Sequence, residues 1–277
     1  MTAGPGAAAG SAEPPAHPVR HRENVMGTIV TIDVYTAAGV TDAEVAELCE
    51  QLDRARSVLH HADEVFSTWQ PHSPISRLRS AEITRAQAPA EVAEVLERCA
   101  TARDLSGGWF DPWAMPGGID PTGYVKGWAA QNALAAFSAE YIVGAIVNAA
   151  GDIASLGSLR NGEPFRIGIV DPLAPRQLAE IVDLTGAIAT SGSYERGNHL
   201  IDPHLGCPCA RAASASVTGP DLGLADALAT GLAVAGTPGL AFIEPLDKYE
   251  ALIIGFDGSR RCTEGFPLAP HQGTLPH

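Results

Sequence analysis

The stretch Leu224-Ala-Asp-Ala-Leu-Ala-Thr-Gly-Leu-Ala-Val-Ala-Gly236 constrains this chain more than any other, because nearly every side chain in it is small or apolar. At helical spacing Asp226 and Thr230 lie four residues apart on one face, so their oxygens point the same way, into a tightly packed site rather than open water. Two readings of the pair stand. In the blander one, the Asp complements the helix dipole and the Thr bonds back to its own helix. In the other, the two oxygens begin a hard-cation site, since Mg²⁺ takes one or two carboxylates, hydroxyl or carbonyl oxygens and a substrate phosphate.

A chain of 277 residues is long enough for a large core, as one extended domain or two intimate lobes. Its 45% hydrophobic content, with 29 Gly and 21 Pro, fits a turn-rich mixture of α and β rather than a bundle of long helices. The formal net charge is −14 and no block of Lys and Arg stands out, which argues against capture of nucleic acid or of an anionic membrane. An acidic protein that binds a polyanion needs a cation to neutralise it, so charge and the Asp226/Thr230 pair point together.

No run reaches the roughly 18 apolar residues of a membrane helix, and no transmembrane segment is expected. Residues 1–22, rich in Ala, Gly and Pro, lack a continuous apolar core and a lipid-accepting Cys. They read as a disordered leader, with the cytoplasm as the default location. The cysteines are Cys49, Cys99, Cys207, Cys209 and Cys262, an odd number without a C-x₂-C pair, which suits a reducing compartment. Cys207-Pro-Cys209 near His204 leaves a soft-metal or redox role open beside the plainer reading of loop thiols.

Thr28-Ile-Val-Thr-Ile-Asp-Val-Tyr-Thr36 alternates and is β-branched, which predicts the first strand just after the sharp Met26-Gly27 step. Thr41-Asp-Ala-Glu44 forms a capping box, and Val45, Leu48, Leu52, Ala55 and Leu59 continue at helical spacing to about Asp63. Phe66 to Leu78 reads as a Pro- and Ser-rich loop whose aromatic landmark, Trp69, suits a flat ligand. Val92, Val95, Leu96 and Cys99 predict a second helix ending near Gly107-Gly108. Between Gly117 and Gly127, either an elaborate turn leads to a helix starting at Lys126, or Asp120 and Lys126 grip a ligand across Gly123.

Tyr141 to Asn148 reads as a buried strand that places Asp152 just beyond a strand end, a common position for ligand groups. Phe165 to Val170 is another strand, Ile181 to Ala189 forms two strand segments about a turn or bulge at Gly186, and Ala251 to Phe256 is the last. Residues after about Pro267 read as a tail. A lone histidine is usually a surface or core residue, but His199 has Asp202 close by, and a neighbouring carboxylate can orient it for acid–base work.

Taken in order, Met26-Gly-Thr28, Phe66-Ser-Thr68 with Ser73-x-x-Ser-Arg-Leu78, Phe110-Asp-Pro112, Asp120 with Lys126-Gly127, Gly151-Asp152, Thr190-Ser-Gly192, His199-x-Ile-Asp-Pro203 and Ala225-Asp-Ala-Leu-Ala-Thr230 resemble the ApbE family of FAD:protein FMN transferases. Each motif alone is weak, whereas their joint order across residues 24–257 is specific. The resemblance implies an α+β fold with antiparallel or mixed sheets flanked by helices, over residues 23–262, followed by a C-terminal tail at 263–277. It further implies an enzyme that uses Mg²⁺ and FAD, moves the FMN half onto a Thr or Ser hydroxyl of an acceptor flavoprotein, and releases AMP. On the family pattern Asp226, Thr230 and the backbone carbonyl of Gly123 hold the metal. Met26, Trp69, Phe110, Asp111, Asp120, Lys126, Thr190, Ser191 and Ile201 bind FAD, and His199 is the general base.

The chain departs from the pattern in places. After Ile-Asp-Pro the family usually reads Arg-Thr-Gly, whereas this chain has His204-Leu-Gly206, a change that bears on acceptor recognition. Asn148-Ala-Ala-Gly-Asp152 lacks one glycine of the pattern, Trp69 stands where Tyr is frequent, and the segment between Gly192 and His199 is short. Two rivals to transfer follow: an FAD pyrophosphatase, with water as acceptor, and a carrier that holds FAD without turnover.

Overall fold

The computed structural model describes residues 18–159, 161–192 and 200–270. A hairpin of β1 (Val19–Val25) and β2 (Thr28–Thr36) opens the fold, followed by α1 (Asp42–Phe66), α2 (Pro74–Arg79), α3 (Ala90–Leu105) and α4 (Thr122–Leu134). Next come β3 (Ile142–Ala149), β4 (Asp152–Gly157), β5 (Phe165–Asp171), β6 (Ala174–Leu184), β7 (Ala187–Gly192) and the short pair β8 (Ile201–Asp202) and β9 (Cys207–Pro208). After β10 (Ser214–Gly219) the chain forms α5 (Leu222–Ala235), the one-turn α6 (Leu240–Ile243), β11 (Glu250–Ile254) and β12 (Arg260–Cys262). Eight strands pair antiparallel in the order β1-β2-β3-β4-β7-β10-β11-β12, while β5-β6 and β8-β9 are separate ribbons.

Alternation along the strands gives this sheet two buried faces. On one, Val30, Ile32 and Val34, Ala145 and Val147, Ala187 and Ala189, and Ala215 and Val217 belong to the core shared with α1, α4 and α5. On the other, Ile153, Ile188, Leu252 and Ile254 pack with Val182 and Leu184 of the β5-β6 ribbon. Small residues let α5 lie close to the sheet and to α4, and all of its residues except Leu224 and Thr230 are buried. Where the two helices touch, a Cβ on Gly127 would collide with the Leu222 carbonyl. No described helix is long and apolar enough to cross a membrane.

The Thr41 capping box forms as expected: the Thr41 hydroxyl accepts the Glu44 N–H at 3.3 Å and the Glu44 carboxylate accepts the Thr41 N–H at 2.7 Å. Several boundaries differ from the sequence-based expectation: α1 runs on to Phe66, β6 begins at Ala174, and β12 follows the strand expected to be the last. The sheet begins at Val19, ahead of the Met26-Gly27 turn, so residues 19–22, expected in the leader, form part of β1. This strand hides from hydropathy because its inward-leaning groups are polar: Glu23 accepts from Arg56 of α1 at 2.7 Å and lies 3.1 Å from His60. The loop expected over Phe66 to Leu78 contains α2, started by Ser73, whose hydroxyl accepts the Ser76 N–H at 3.1 Å, with Pro74 as its first residue.

Helix α4 starts at Thr122 rather than Lys126, because the Asp120 carboxylate accepts both the N–H of Thr122 at 3.0 Å and its hydroxyl at 2.7 Å. Residues 263–270, expected in the tail, are tied down. The Ala251 N–H donates to the Thr263 hydroxyl at 2.9 Å, and the Ala269 N–H donates to the Ile181 carbonyl at 2.8 Å.

Candidate active site

A cavity of about 490 Å³ opens between the first turns of α4, the middle of α5 and the end of β7, and its wall is completed by the β1-β2 turn, the C-terminal end of α1 and residues 109–112. Met26, Trp69, Phe110, Asp111, Asp120, Gly123, Lys126, Thr190, Ser191, Ile201, Asp226 and Thr230 all line it. His199, the expected general base, lies outside the described residues.

Asp226, only 3% exposed, and Thr230 stand one turn apart on α5 at the cavity floor. Asp226 Oδ2 accepts the Gly127 N–H at 3.3 Å, which ties α5 to α4, and Thr230 Oγ1 lies 3.1 Å from Ser191 Oγ. A Cβ on Gly123 would sit 3.3 Å from the Phe110 ring and 3.5 Å from Thr230 Oγ1, so glycine brings the α4 backbone up to the hydroxyl. The Lys126 ammonium is paired with Asp152 and lies 3.5 Å from Asp226 Oδ2. Asp152 is fully buried as the first residue of β4, and its Oδ1 accepts the Thr190 N–H at 3.2 Å.

This donor set can be tested against a metal. Among the described residues no cluster of three or more His, Cys, Asp and Glu could hold an ion. Cys207, Cys209 and His204 thus form no such cluster among the described residues. One carboxylate, one hydroxyl and a backbone oxygen do fit Mg²⁺, which keeps several waters and takes its remaining oxygens from ligand phosphates.

The wall is built by turns. Register Val25↔Thr28 leaves Met26 and Gly27 as a two-residue hairpin loop, with φ of 54° and 68°. Such loops require left-handed backbone at both positions, and a non-glycine residue there carries strain of about 1 kcal/mol. The strain falls on a residue whose side chain faces the cavity. Trp69 is 92% exposed at the rim, an open indole face on which a flat ring can stack. Phe110 is fixed by its N–H, which donates to Ser106 Oγ at 3.1 Å, and Asp111 accepts the Trp113 N–H at 2.8 Å.

Two contributors escape sequence reasoning. Arg79 donates to the carbonyls of Gly117, at 2.8 Å, and Pro116, and lies 3.5 Å from Asp120, so it clamps the loop that leads into α4. Its neighbour Arg77, the arginine in the family-like motif, instead pairs with Glu82 at 2.7 Å. Trp109 lines the cavity beside Phe110, with the Arg211 guanidinium 5.0 Å above its ring and the His204 ring edge-on at 4.6 Å. Adjacency to Phe110-Asp-Pro112 is the signal that marks Trp109, and Arg79 likewise directly follows Ser73-x-x-Ser-Arg-Leu78, where the motif itself draws attention to Arg77 instead.

Arg211 also donates to the buried Asp202 at 2.8 Å. Burial alone would raise the Asp202 carboxyl, but Arg211 and the N–H groups of His204 and Leu205 outweigh it and hold the group below the ordinary carboxylate range. All five cysteines are free thiols, and burial, with the charge of Asp226, pushes the Cys99 thiol up to about 12.

An antiparallel α+β fold with a ligand cavity between its helical layer and its sheet, aromatic at the rim and oxygen-rich at the floor, is the class that this geometry defines. Within that class the chain belongs to the ApbE family, whose model matches residues 26–117 and 115–253. It is 35% identical over 127 residues to the FAD:protein FMN transferase of Rhodobacter capsulatus, a match covering 43% of this chain and 24% of that protein. To the FAD:protein FMN transferase of Salmonella typhimurium it is 33% identical over 130 residues, covering 43% of this chain and 37% of that protein. The matched segments thus span well under two thirds of these relatives.

Solved structures share the fold over most of the chain. The flavin transferase ApbE of Vibrio cholerae superposes with a TM-score of 0.74 at 24% identity, covering 90% of this chain and 97% of that one. The ApbE protein of Thermotoga maritima gives a TM-score of 0.75 at 21% identity, covering 89% and 97%.

Proposed function

We propose that this protein transfers the FMN half of FAD to a Thr or Ser hydroxyl of an acceptor protein, forming a phosphoester and releasing AMP, with Mg²⁺ as cofactor. The observation that carries the reading is the meeting of Gly123, Lys126, Asp226 and Thr230 on the floor of the same cavity that has Met26 and Trp69 at its rim. Membership of the ApbE family, with relatives named FAD:protein FMN transferase, supports it.

In this reading Trp69 stacks on the flavin, while Met26 and Phe110 exclude water from it. Asp120, Asp111, Thr190, Ser191 and Ile201 orient the rest of FAD, and Lys126 offers positive charge to the pyrophosphate. Asp226, Thr230 and the Gly123 carbonyl would hold Mg²⁺, which when bound neutralises charge building up on the pyrophosphate. The acceptor hydroxyl attacks the phosphorus nearest the flavin, the bond from that phosphorus to the bridging oxygen breaks, and that oxygen leaves with AMP. His199 takes the hydroxyl proton.

A pyrophosphatase reading draws on one observation: in the segment where the family usually has Arg-Thr-Gly, His204 is turned onto Trp109 and Leu205 is 65% exposed. AMP release from FAD and Mg²⁺, measured with and without a Thr-containing acceptor domain and with Asp226→Ala as control, separates the possibilities. Acceptor-dependent AMP supports the transferase, AMP without acceptor favours the pyrophosphatase, and bound FAD with no AMP in either arm points to a carrier or to an acceptor other than the one tested.

A further inference from the structure

We infer that Asp152 is a positioning residue for the cation site: it keeps the Lys126 ammonium on its own carboxylate and so limits the pairing of that lysine with Asp226. The inference deepens the proposed function and rests on its assignment of Asp226 to a divalent cation.

The chain folds so as to fix Asp152 in place. Across the β3-β4 turn the Asn148 side-chain oxygen accepts the Gly151 N–H at 2.8 Å, and Ala150 and Gly151 take left-handed backbone at φ of 53° and 95°. The next residue is Asp152, wholly buried. Its Oδ1 is engaged by the Thr190 N–H at 3.2 Å, on the strand whose next residue, Ser191, reaches Thr230. Among the described residues only the Lys126 ammonium comes to Oδ2. The sheet therefore fixes one carboxylate oxygen and leaves the other to the lysine.

Lys126 arrives from the opposite side, on α4, where the next backbone N–H is bonded to Asp226. Its ammonium stands between two carboxylates, paired with Asp152 and 3.5 Å from Asp226 Oδ2. The Lys126 side chain is 22% exposed, and a partly buried charge still gains from a partner, so the ammonium divides itself according to which carboxylates are present. Asp152 gives no oxygen to the cation in this arrangement; it decides where the competing positive charge sits. With its charge removed, the carboxylate near Lys126 among the described residues is Asp226, the one assigned to the divalent cation. With both charges removed, that competition disappears.

The test is cation affinity rather than turnover. Full-length protein, FAD-free and FAD-saturated, is titrated with Mn²⁺ and followed by electron paramagnetic resonance, for wild type, Asp152→Asn, Asp152→Asn/Lys126→Met and Asp226→Ala. Asp152→Asn is expected to weaken binding by about 10- to 100-fold, the usual effect of losing a residue behind a metal ligand. The double variant is expected to return close to wild type, a rescue that a ligand role of Asp152 would not give, and a melting curve of Asp152→Asn close to that of wild type separates the effect from loss of the fold.

Unchanged affinity in Asp152→Asn, or a double variant as weak as Asp152→Asn, overturns the inference. If Asp152→Asn does not fold, the double variant decides alone, since it leaves neither charge without its partner: near-wild-type affinity supports the inference and a large loss overturns it. Wild type that takes up no Mn²⁺, or Asp226→Ala that binds like wild type, removes the cation reading and this inference with it. A missing rescue alone leaves that reading standing.

Discussion

Ser191 Oγ lies 3.1 Å from Thr230 Oγ1, so the last residues of β7 are joined to the middle of α5 at the floor of the cavity. The hydroxyl proposed to hold a cation is thereby oriented by the sheet and not by its own helix alone. Ser191→Ala is expected to weaken Mg²⁺ affinity by about tenfold, as loss of a group behind a metal ligand does, while thermal unfolding shifts little. Calorimetric titration with Mg²⁺ and a melting curve on the same sample check both halves.

Met26 occupies a left-handed backbone position, φ 54°, that suits Asn better than Met. Met26→Asn is therefore expected to stabilise the fold by up to about 1 kcal/mol in urea unfolding. The same change removes an apolar side chain from the cavity wall and is expected to lower FAD affinity, read by fluorescence titration. Opposite signs in the two measurements identify a residue kept for binding at the expense of stability.

Gly127 sits where α4 and α5 touch, and an added methyl group has the Leu222 carbonyl in its way. Gly127→Ala is expected to destabilise the protein by about 1–3 kcal/mol, the range of overpacking a tight core, and to loosen the N–H contact to Asp226. Chemical denaturation checks the first effect, and a parallel loss of Mg²⁺ affinity checks the second.

Glu23 is lowered from an ordinary 4.5 to about 2 by hydrogen bonds from His21, Arg56 and His60. A carboxyl depressed in the folded state stabilises it above the unfolded value, and that contribution fades as pH falls through the folded one. Stability of wild type relative to Glu23→Gln is therefore expected to be fully present just above pH 4.5 and to be lost progressively down to about pH 2. A gap that stays constant over this window in acid-unfolding curves would count against the β1-α1 ion cluster.

Features written in short-range pattern were legible in the sequence. The capping box and the apolar α5 carrying Asp226 and Thr230 depend on residues three or four apart, and both stand where expected. What escaped depends on distant partners. Strand β1 is polar because Glu23 meets Arg56 and His60, 33 and 37 residues later. Arg79 acts on carbonyls 37 and 38 residues on, and no local spacing reports that. Of the ordered motifs, Met26, Phe110, Asp111, Asp120, Lys126, Thr190, Ser191, Ile201, Asp226 and Thr230 line one cavity, but the pairing of Lys126 with Asp152 joins α4 to β4 through a contact no single motif contains.

The central claim is transfer of FMN to a protein hydroxyl through the Asp226/Thr230 site. Its most direct test is the intact mass of a Thr-containing acceptor domain after incubation with the protein, FAD and Mg²⁺, alongside Asp226→Ala. The account predicts an acceptor heavier by FMN less one water, its Thr carrying the modification, with none in the variant. An unmodified acceptor in a reaction that consumes FAD, or equal modification by Asp226→Ala, would contradict it.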